Sequence, residues 1–278
     1  DLNDTSRSEA IKEECETIYS QSRNWSDLSL FSISVHSPYS VSEPMIKWAA
    51  EFAKQKGLLL HIHLSETEQE NIESINLHGV SPTKYLDNLG VLDSNVLAAH
   101  CLWLSDDDIK ILAKRDVKIV HNINSNLKIA SGYKFRYNEL RDAGLTVCLG
   151  TDGCASSNNL DMIETIKTTA LFQKAWRNDT TAMPLDELLD MSTLNGGMAL
   201  SLKIGKIKEG YLADINLIDQ NSVAFTPNIN FKANLIYSAN GSCVDTVLCN
   251  GKFLMKNRIV KGEQEIIGNV NRLYKMLL

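Results

Sequence analysis

From Leu28 to about Trp176, short apolar and β-branched runs alternate with helix-length amphipathic stretches. Five runs read as strands: Leu28 to Val35, Leu58 to Ile62, Asn95 to Ala99, Val117 to Val120 and Leu145 to Gly150. Between the first two, Met45, Ala49, Phe52 and Ala53 recur on one face of Pro44 to Lys56, while Lys47, Glu51 and Lys54 stay polar, which predicts a helix. Ser105 followed by Asp106, Asp107 and Asp108 offers an N-cap and acidic residues at the positive end of another helix, a start expected to be solvated. Alternating strand and helix predicts an α/β fold with a parallel sheet joined by right-handed crossovers.

The texture changes after Gly205. Gly205 to Gly210 is turn-rich, and Ala213 to Asp219 and Cys243 to Asn250 read as strands. Asn250-Gly251 is a hairpin signal between Val247-Leu248 and Phe253-Leu254, and Glu263 to Leu278 predicts a closing helix. The expected organisation is a larger α/β domain over residues 1–204 and a small β-rich unit over 205–278.

The charge balance narrows the partners. The 28 basic and 34 acidic residues give a net charge of −6 and no basic stripe forms, so nucleic acid is not an expected partner. No apolar run approaches the roughly 18–20 residues of a membrane span. Cys15, Cys101, Cys148, Cys154, Cys243 and Cys249 form no C-x-x-C pair and read as reduced thiols of a cytoplasmic protein, with Cys101 and Cys154 as small buried packing residues. The start, Asp1-Leu2-Asn3-Asp4, has no signal-peptide character and no initiator methionine.

The chemistry gathers where the predicted strands end. The runs close on His36, His63, His100, His121 and Asp152. Parallel strands converge with their carboxyl ends on one rim, so these side chains are expected to share a pocket. Imidazoles with a carboxylate and no thiolate suit a divalent ion such as zinc. Glu66, three residues after His63, is placed to act as a general acid/base. Alternation puts His61 on the face of His63, where it is expected as a hydrogen-bonded second-layer residue, and His121 is left open between site and structure.

These segments resemble the amidohydrolase superfamily, in the branch of S-adenosylhomocysteine and 5-methylthioadenosine deaminases, with guanine deaminases and triazine chlorohydrolases as relatives. The resemblance rests on His36-Ser37-Pro38-Tyr39, His61-Ile62-His63-Leu64-Ser65-Glu66-Thr67, Ala98-Ala99-His100-Cys101, His121-Asn122 with Ser125-Asn126, and Gly150-Thr151-Asp152-Gly153 followed by Ala155-Ser156. It implies that His63 and Asp152 are metal ligands and that Asp152 also takes a proton from the attacking water. It further implies that Glu66 protonates the purine ring nitrogen, that His100 holds the nucleophile or oxyanion, and that His36 contacts the nucleoside. Ser156 is expected to support Asp152 or the water, and Arg7 to grip a substrate carboxylate. By family, a homodimer is expected.

One departure stands out. The family's His-x-His pair on its first barrel strand has no counterpart before His36, and His61-Ile62-His63 belongs to a later strand. Five predicted strands also fall short of the eight in a (β/α)₈ barrel. The expected architecture is therefore a partial TIM-like barrel lacking its early strands, with a β-sandwich remainder, as the C-terminal part of a longer polypeptide. One divalent ion, zinc or else iron, is expected, poorly retained without that pair.

The expected activity is metal-dependent hydrolytic deamination of S-adenosylhomocysteine, 5-methylthioadenosine or adenosine to the inosine form. Alternatives within the chemistry are guanine or cytosine deamination, or chloride displacement from a triazine. From another class, the chain is an inactive fragment or a noncatalytic nucleotide-binding subunit built on an open, doubly wound parallel sheet.

Overall fold

The computed structural model describes residues 5–277, with side chains from residue 7 to residue 276. They divide into two compact units, one running to Gly205 and the other from Lys206.

In the first unit, α1 (Thr5–Ser22) precedes β1 (Ile33–Val35), α2 (Glu43–Lys56), β2 (Leu60–Leu64), α3 (Glu68–His78), α4 (Pro82–Asn88) and β3 (Val96–His100). The chain continues through α5 (Asp106–Lys114), β4 (Lys118–His121), α6 (Ile123–Lys128), α7 (Tyr137–Asp142), β5 (Val147–Leu149), α8 (Cys154–Ser157), α9 (Met162–Arg177), α10 (Leu185–Ser192) and α11 (Leu194–Ala199). All five strands are parallel and lie in the order β1-β2-β3-β4-β5. A doubly wound sheet needs a reversal of strand order, and none occurs here, so the sheet is not the open doubly wound one of the alternative expectation. Right-handed crossovers in one direction put the connecting helices on one face and leave the other for the site.

The two faces differ in kind. Leu60, Ile62, Leu64, Val96, Ala98, Ile119 and Val147 point to the helix-covered face and are buried. Each of the larger ones contributes about 1.5–3 kcal/mol by leaving water. The opposite face is layered: Leu97 and Cys148 pack with Leu59, Val120 and Ala199 of α11. Above this apolar layer stand the histidines.

Local signals explain most boundaries. Pro44 stands in the first turn of α2, and Gly57 ends it in the left-handed conformation at φ 65°. At α5, the Ser105 hydroxyl accepts from the Asp108 N–H, and the Asp108 carboxylate accepts from the Ser105 N–H. Asp108 is buried and also accepts from the Ser81 hydroxyl, so it is not the solvated residue expected. The first strand is shorter than expected because Leu28 to Ser32 stay outside the ladder, with Leu30 exposed. Helix α1 was not predicted, since only Ile11, Cys15, Ile18 and Tyr19 recur at helical spacing in a polar stretch.

The second unit holds an antiparallel sheet ordered β6 (Ile215–Ile218), β7 (Val244–Cys249), β8 (Lys252–Lys256) and β9 (Ile259–Val260). Asn250 and Gly251 both take positive φ, 47° and 74°, as a two-residue hairpin between Cys249 and its partner Lys252 requires. The closing helix spans Glu263–Leu277. No helix among the described residues is long and apolar enough to cross a membrane.

Candidate active site

Four of the expected residues, His63, Glu66, His100 and Asp152, come from the ends of β2, β3 and β5. His63 on β2 has its Nδ1 2.6 Å from the main-chain oxygen of His36, the residue after β1. A carbonyl only accepts, so Nδ1 donates, and in the neutral imidazole Nε2 is the nitrogen free to accept. The His63 ring lies 5.1 Å from that of His36, 5.4 Å from His61 and 5.3 Å from His100. Burial first, and His63 second, push the pKa values of His36, His61 and His100 down, that of His100 to about 4. His100, pushed that far down, is neutral at pH 7.

His100 arrives by a backbone turn. Strand register pairs it with Leu64, whose side chain faces the helices, so strict alternation would send it away from His63. Its φ of 71°, followed by 50° at Cys101, re-aims the side chain onto the site. The Asn126 amide donates to His100 Nδ1 at 3.0 Å, which leaves the hydrogen on Nε2. That nitrogen lies 3.7 Å from Glu66 Oε2. Burial raises the Glu66 carboxyl above the usual range, and the charge of Asp152 adds to the effect against His63, so Glu66 holds its proton more tightly than a free glutamic acid.

Asp152 follows β5 with a left-handed φ of 60°. Its Oδ2 accepts from the Ser125 hydroxyl at 2.6 Å and its Oδ1 from the Gly153 N–H at 2.6 Å. Burial alone would raise this carboxyl, but those two donors, with His100 and His63, outweigh it and hold Asp152 below the usual carboxylate range. Two neighbouring carboxyls are thus pushed apart, one toward acid and one toward base.

The remaining residues are placed as follows. His36 is exposed, with Nδ1 2.6 Å from the Ser40 hydroxyl and the Tyr39 ring edge-on at 6.0 Å. The hydroxyl that donates to Asp152 is that of Ser125, whereas Ser156 sits in the short α8 with its main-chain N–H on Gly153 O at 3.0 Å. Arg7 is exposed on the first turn of α1, a helix whose Tyr19 packs against Phe52 of α2. His121 belongs to the core: it stacks on Phe135 at 3.9 Å, and its buried ring nitrogens have no hydrogen-bond partner among the described residues. Cys154 is exposed, against expectation, while Cys101 is buried. Three supporting residues went unassigned in the sequence: Ser125, Asn126 and Glu70. The signal for Glu70 was legible as the capping pattern Thr67-x-x-Glu70 after a strand.

The donor chemistry fits a divalent ion in part. His63 has its Nδ1 tied to a carbonyl, the usual arrangement of a histidine that ligates through Nε2, and Asp152, held below the usual carboxylate range, offers a carboxylate. Among the described residues, no group of three or more His, Cys, Asp or Glu is arranged to hold an ion.

Residues 5–254 match the model of the amidohydrolase family, and the chain belongs to that family. It is 42% identical over 268 residues to the 5'-deoxyadenosine deaminase of Methanothermobacter thermautotrophicus, covering 96% of this chain and 62% of that protein. It is 39% identical to 5-methylthioadenosine/S-adenosylhomocysteine deaminase 1 of Archaeoglobus fulgidus, covering 89% of this chain and 60% of that protein. A zinc-bound adenosine deaminase structure from Xanthomonas campestris superposes with a TM-score of 0.89 at 31% identity, over 95% of this chain and 61% of that one. The chain thus spans 60–62% of the length of these relatives.

Proposed function

We propose that the protein carrying this sequence is a metal-dependent aminohydrolase that converts an adenine nucleoside to its inosine form with release of ammonia. The observation that carries this reading is the convergence of His63, Glu66, His100 and Asp152 at one rim, with Glu66 biased to keep a proton and Asp152 to lose one. The names of the relatives support an adenine nucleoside with a modified 5' position, such as 5'-deoxyadenosine, 5-methylthioadenosine or S-adenosylhomocysteine.

The five-stranded sheet is read as the later part of a (β/α)₈ barrel. Its strand order never reverses, and β1 and β5 each pair on one side only among the described residues. His63 through Nε2 and Asp152 through its carboxylate would hold the divalent ion, zinc being the reading that the Xanthomonas relative supports. Such an ion supplies an activated water and a positive charge against the negative charge that develops during attack. Two donors alone hold an ion weakly, and the family's His-x-His would complete the set in a longer polypeptide.

The chain's own residues supply the rest. Glu66 delivers its proton to the ring nitrogen beside the attacked carbon, so that the ring accepts electrons as an amidine. Asp152, kept ionised by Ser125 and Gly153, takes a proton from the attacking water and returns it to the leaving amine, and the proton left on the new hydroxyl goes back to Glu66 as the carbonyl forms. His100 presents its Nε2–H to the oxygen that attacks the ring carbon, where it can hold the negative charge that develops. His36, with Ser40 and Tyr39, contacts the sugar side, and Arg7 and Ser156 stay as candidate substrate contacts. Six free thiols fit a reducing, cytoplasmic setting.

The test is to add the full-length protein to 5'-deoxyadenosine, 5-methylthioadenosine, S-adenosylhomocysteine and guanine. Ammonia release with an ultraviolet shift toward the inosine spectrum on at least one nucleoside is expected. Turnover of guanine alone would replace the substrate class, and nucleoside binding without turnover would leave a binding protein.

A further inference from the structure

The turn after β2, which carries Glu66, is gripped by a carboxylate from the next helix. Glu70 Oε1 accepts from the Ser65 N–H at 2.9 Å, and its Oε2 accepts from the Glu66 N–H at 2.8 Å. The Glu70 N–H in turn donates to the Thr67 hydroxyl at 3.1 Å, which closes the first turn of α3. Glu70 is 4% exposed, so its bonds face little competition from water.

The same turn is laced to the one after His100. The Ser65 carbonyl accepts from the N–H groups of Leu102 and Trp103, both at 3.0 Å, and the Asn71 amide donates to the Trp103 carbonyl at 2.8 Å. Ser65 takes a φ of 48°, as His100 and Cys101 also leave the ordinary region. Two strained turns bonded to each other therefore set the 3.7 Å separation of Glu66 and His100.

We infer that Glu70 is the positioning residue for Glu66: by clamping the N–H groups of Ser65 and Glu66, it aims the Glu66 carboxyl at His100 and the reacting ring. This rests on the aminohydrolase reading of the site. Glu70 touches neither substrate nor ion in that reading, and it acts through the main chain of its neighbour. The clamp needs two acceptor atoms side by side, which a carboxylate supplies. A glutamine keeps the size but offers one oxygen and one NH₂, and the NH₂ meets a main-chain N–H donor to donor.

The experiment compares Glu70→Gln with the parent in the full-length, metal-loaded protein. Turnover number is expected to fall about 10- to 100-fold with KM and metal content within about two-fold of the parent. Amide hydrogen exchange at Ser65 and Glu66 is expected to speed up about ten-fold or more, with the rest of the sheet unchanged. Glu70→Asp, which keeps both acceptors on a shorter stem, is expected to fall between the two, and it carries the test if the glutamine variant does not fold. Unchanged exchange, or a fall in turnover matched by loss of metal, overturns the clamp. A parent inactive on every adenine nucleoside defeats the reaction instead, and the exchange measurement then judges the clamp by itself.

Discussion

His100 Nε2 stands 3.7 Å from Glu66 Oε2 only because the backbone at His100 is left-handed. Such a φ costs a residue with a Cβ about 1–2 kcal/mol, and asparagine tolerates it better than most side chains. His100→Asn is therefore expected to keep the fold, with a melting temperature within a few degrees of the parent, while it removes the ring N–H from the rim. Turnover should drop about 10²- to 10³-fold, the usual effect of losing one such donor. Steady-state kinetics and a thermal melt on the same preparation check both halves.

The Ser125 hydroxyl donates to Asp152 Oδ2 at 2.6 Å. Without that donor, the Asp152 carboxyl moves back up toward the ordinary range. A depressed carboxyl contributes stability above its unfolded pKa, and that contribution disappears as pH falls through the folded value. Ser125→Ala should then cost stability at neutral pH, by about 1–2 kcal/mol for one bond to a charged group. The gap to the parent should narrow below about pH 4, and the acid limb of activity should move to higher pH. Denaturant titrations at three pH values and a pH–rate profile measure this.

Glu70 predicts the opposite slope. Burial, opposed by the N–H donors of Glu66 and Ser65, raises its carboxyl from 4.5 to about 7. Between those values the folded protein takes up a proton that the unfolded chain has lost, giving up one of the two N–H bonds, so the clamp is complete only above about pH 7 and this residue makes stability fall as pH rises from 4.5 to 7. The full effect is on the order of 3 kcal/mol. Glu70→Gln should flatten that part of the pH–stability curve. Urea unfolding at pH 5 and pH 8, parent against variant, reads the difference directly.

The sequence made the strand ends legible because each parallel strand is an apolar run and the polar residue that stops it lies on the rim. His63 and Asp152 were readable in that way. The hairpin at Asn250-Gly251 was also readable, since few residue pairs accept two positive φ angles. What stayed hidden depends on backbone geometry. Alternation alone would turn His100 away, and no residue type signals the left-handed turn that corrects it. Ser125 and Asn126 were visible as residues, but their partners, 27 and 26 positions away, are chosen by how α6 lies across the strand ends. Apolar content misled at Leu28 to Ser32, where exposed Leu30 shows that a hydrophobic run need not join the sheet.

In the proposed reaction one cation and one proton carrier share the rim, with Glu66 moving the proton and holding no metal. Glu66→Gln in the full-length protein tests it, read by metal content and nucleoside turnover together. Metal equal to the parent with turnover reduced about 10²- to 10⁴-fold is the expected result. Turnover near the parental rate, or loss of the metal with the carboxylate, would contradict the account.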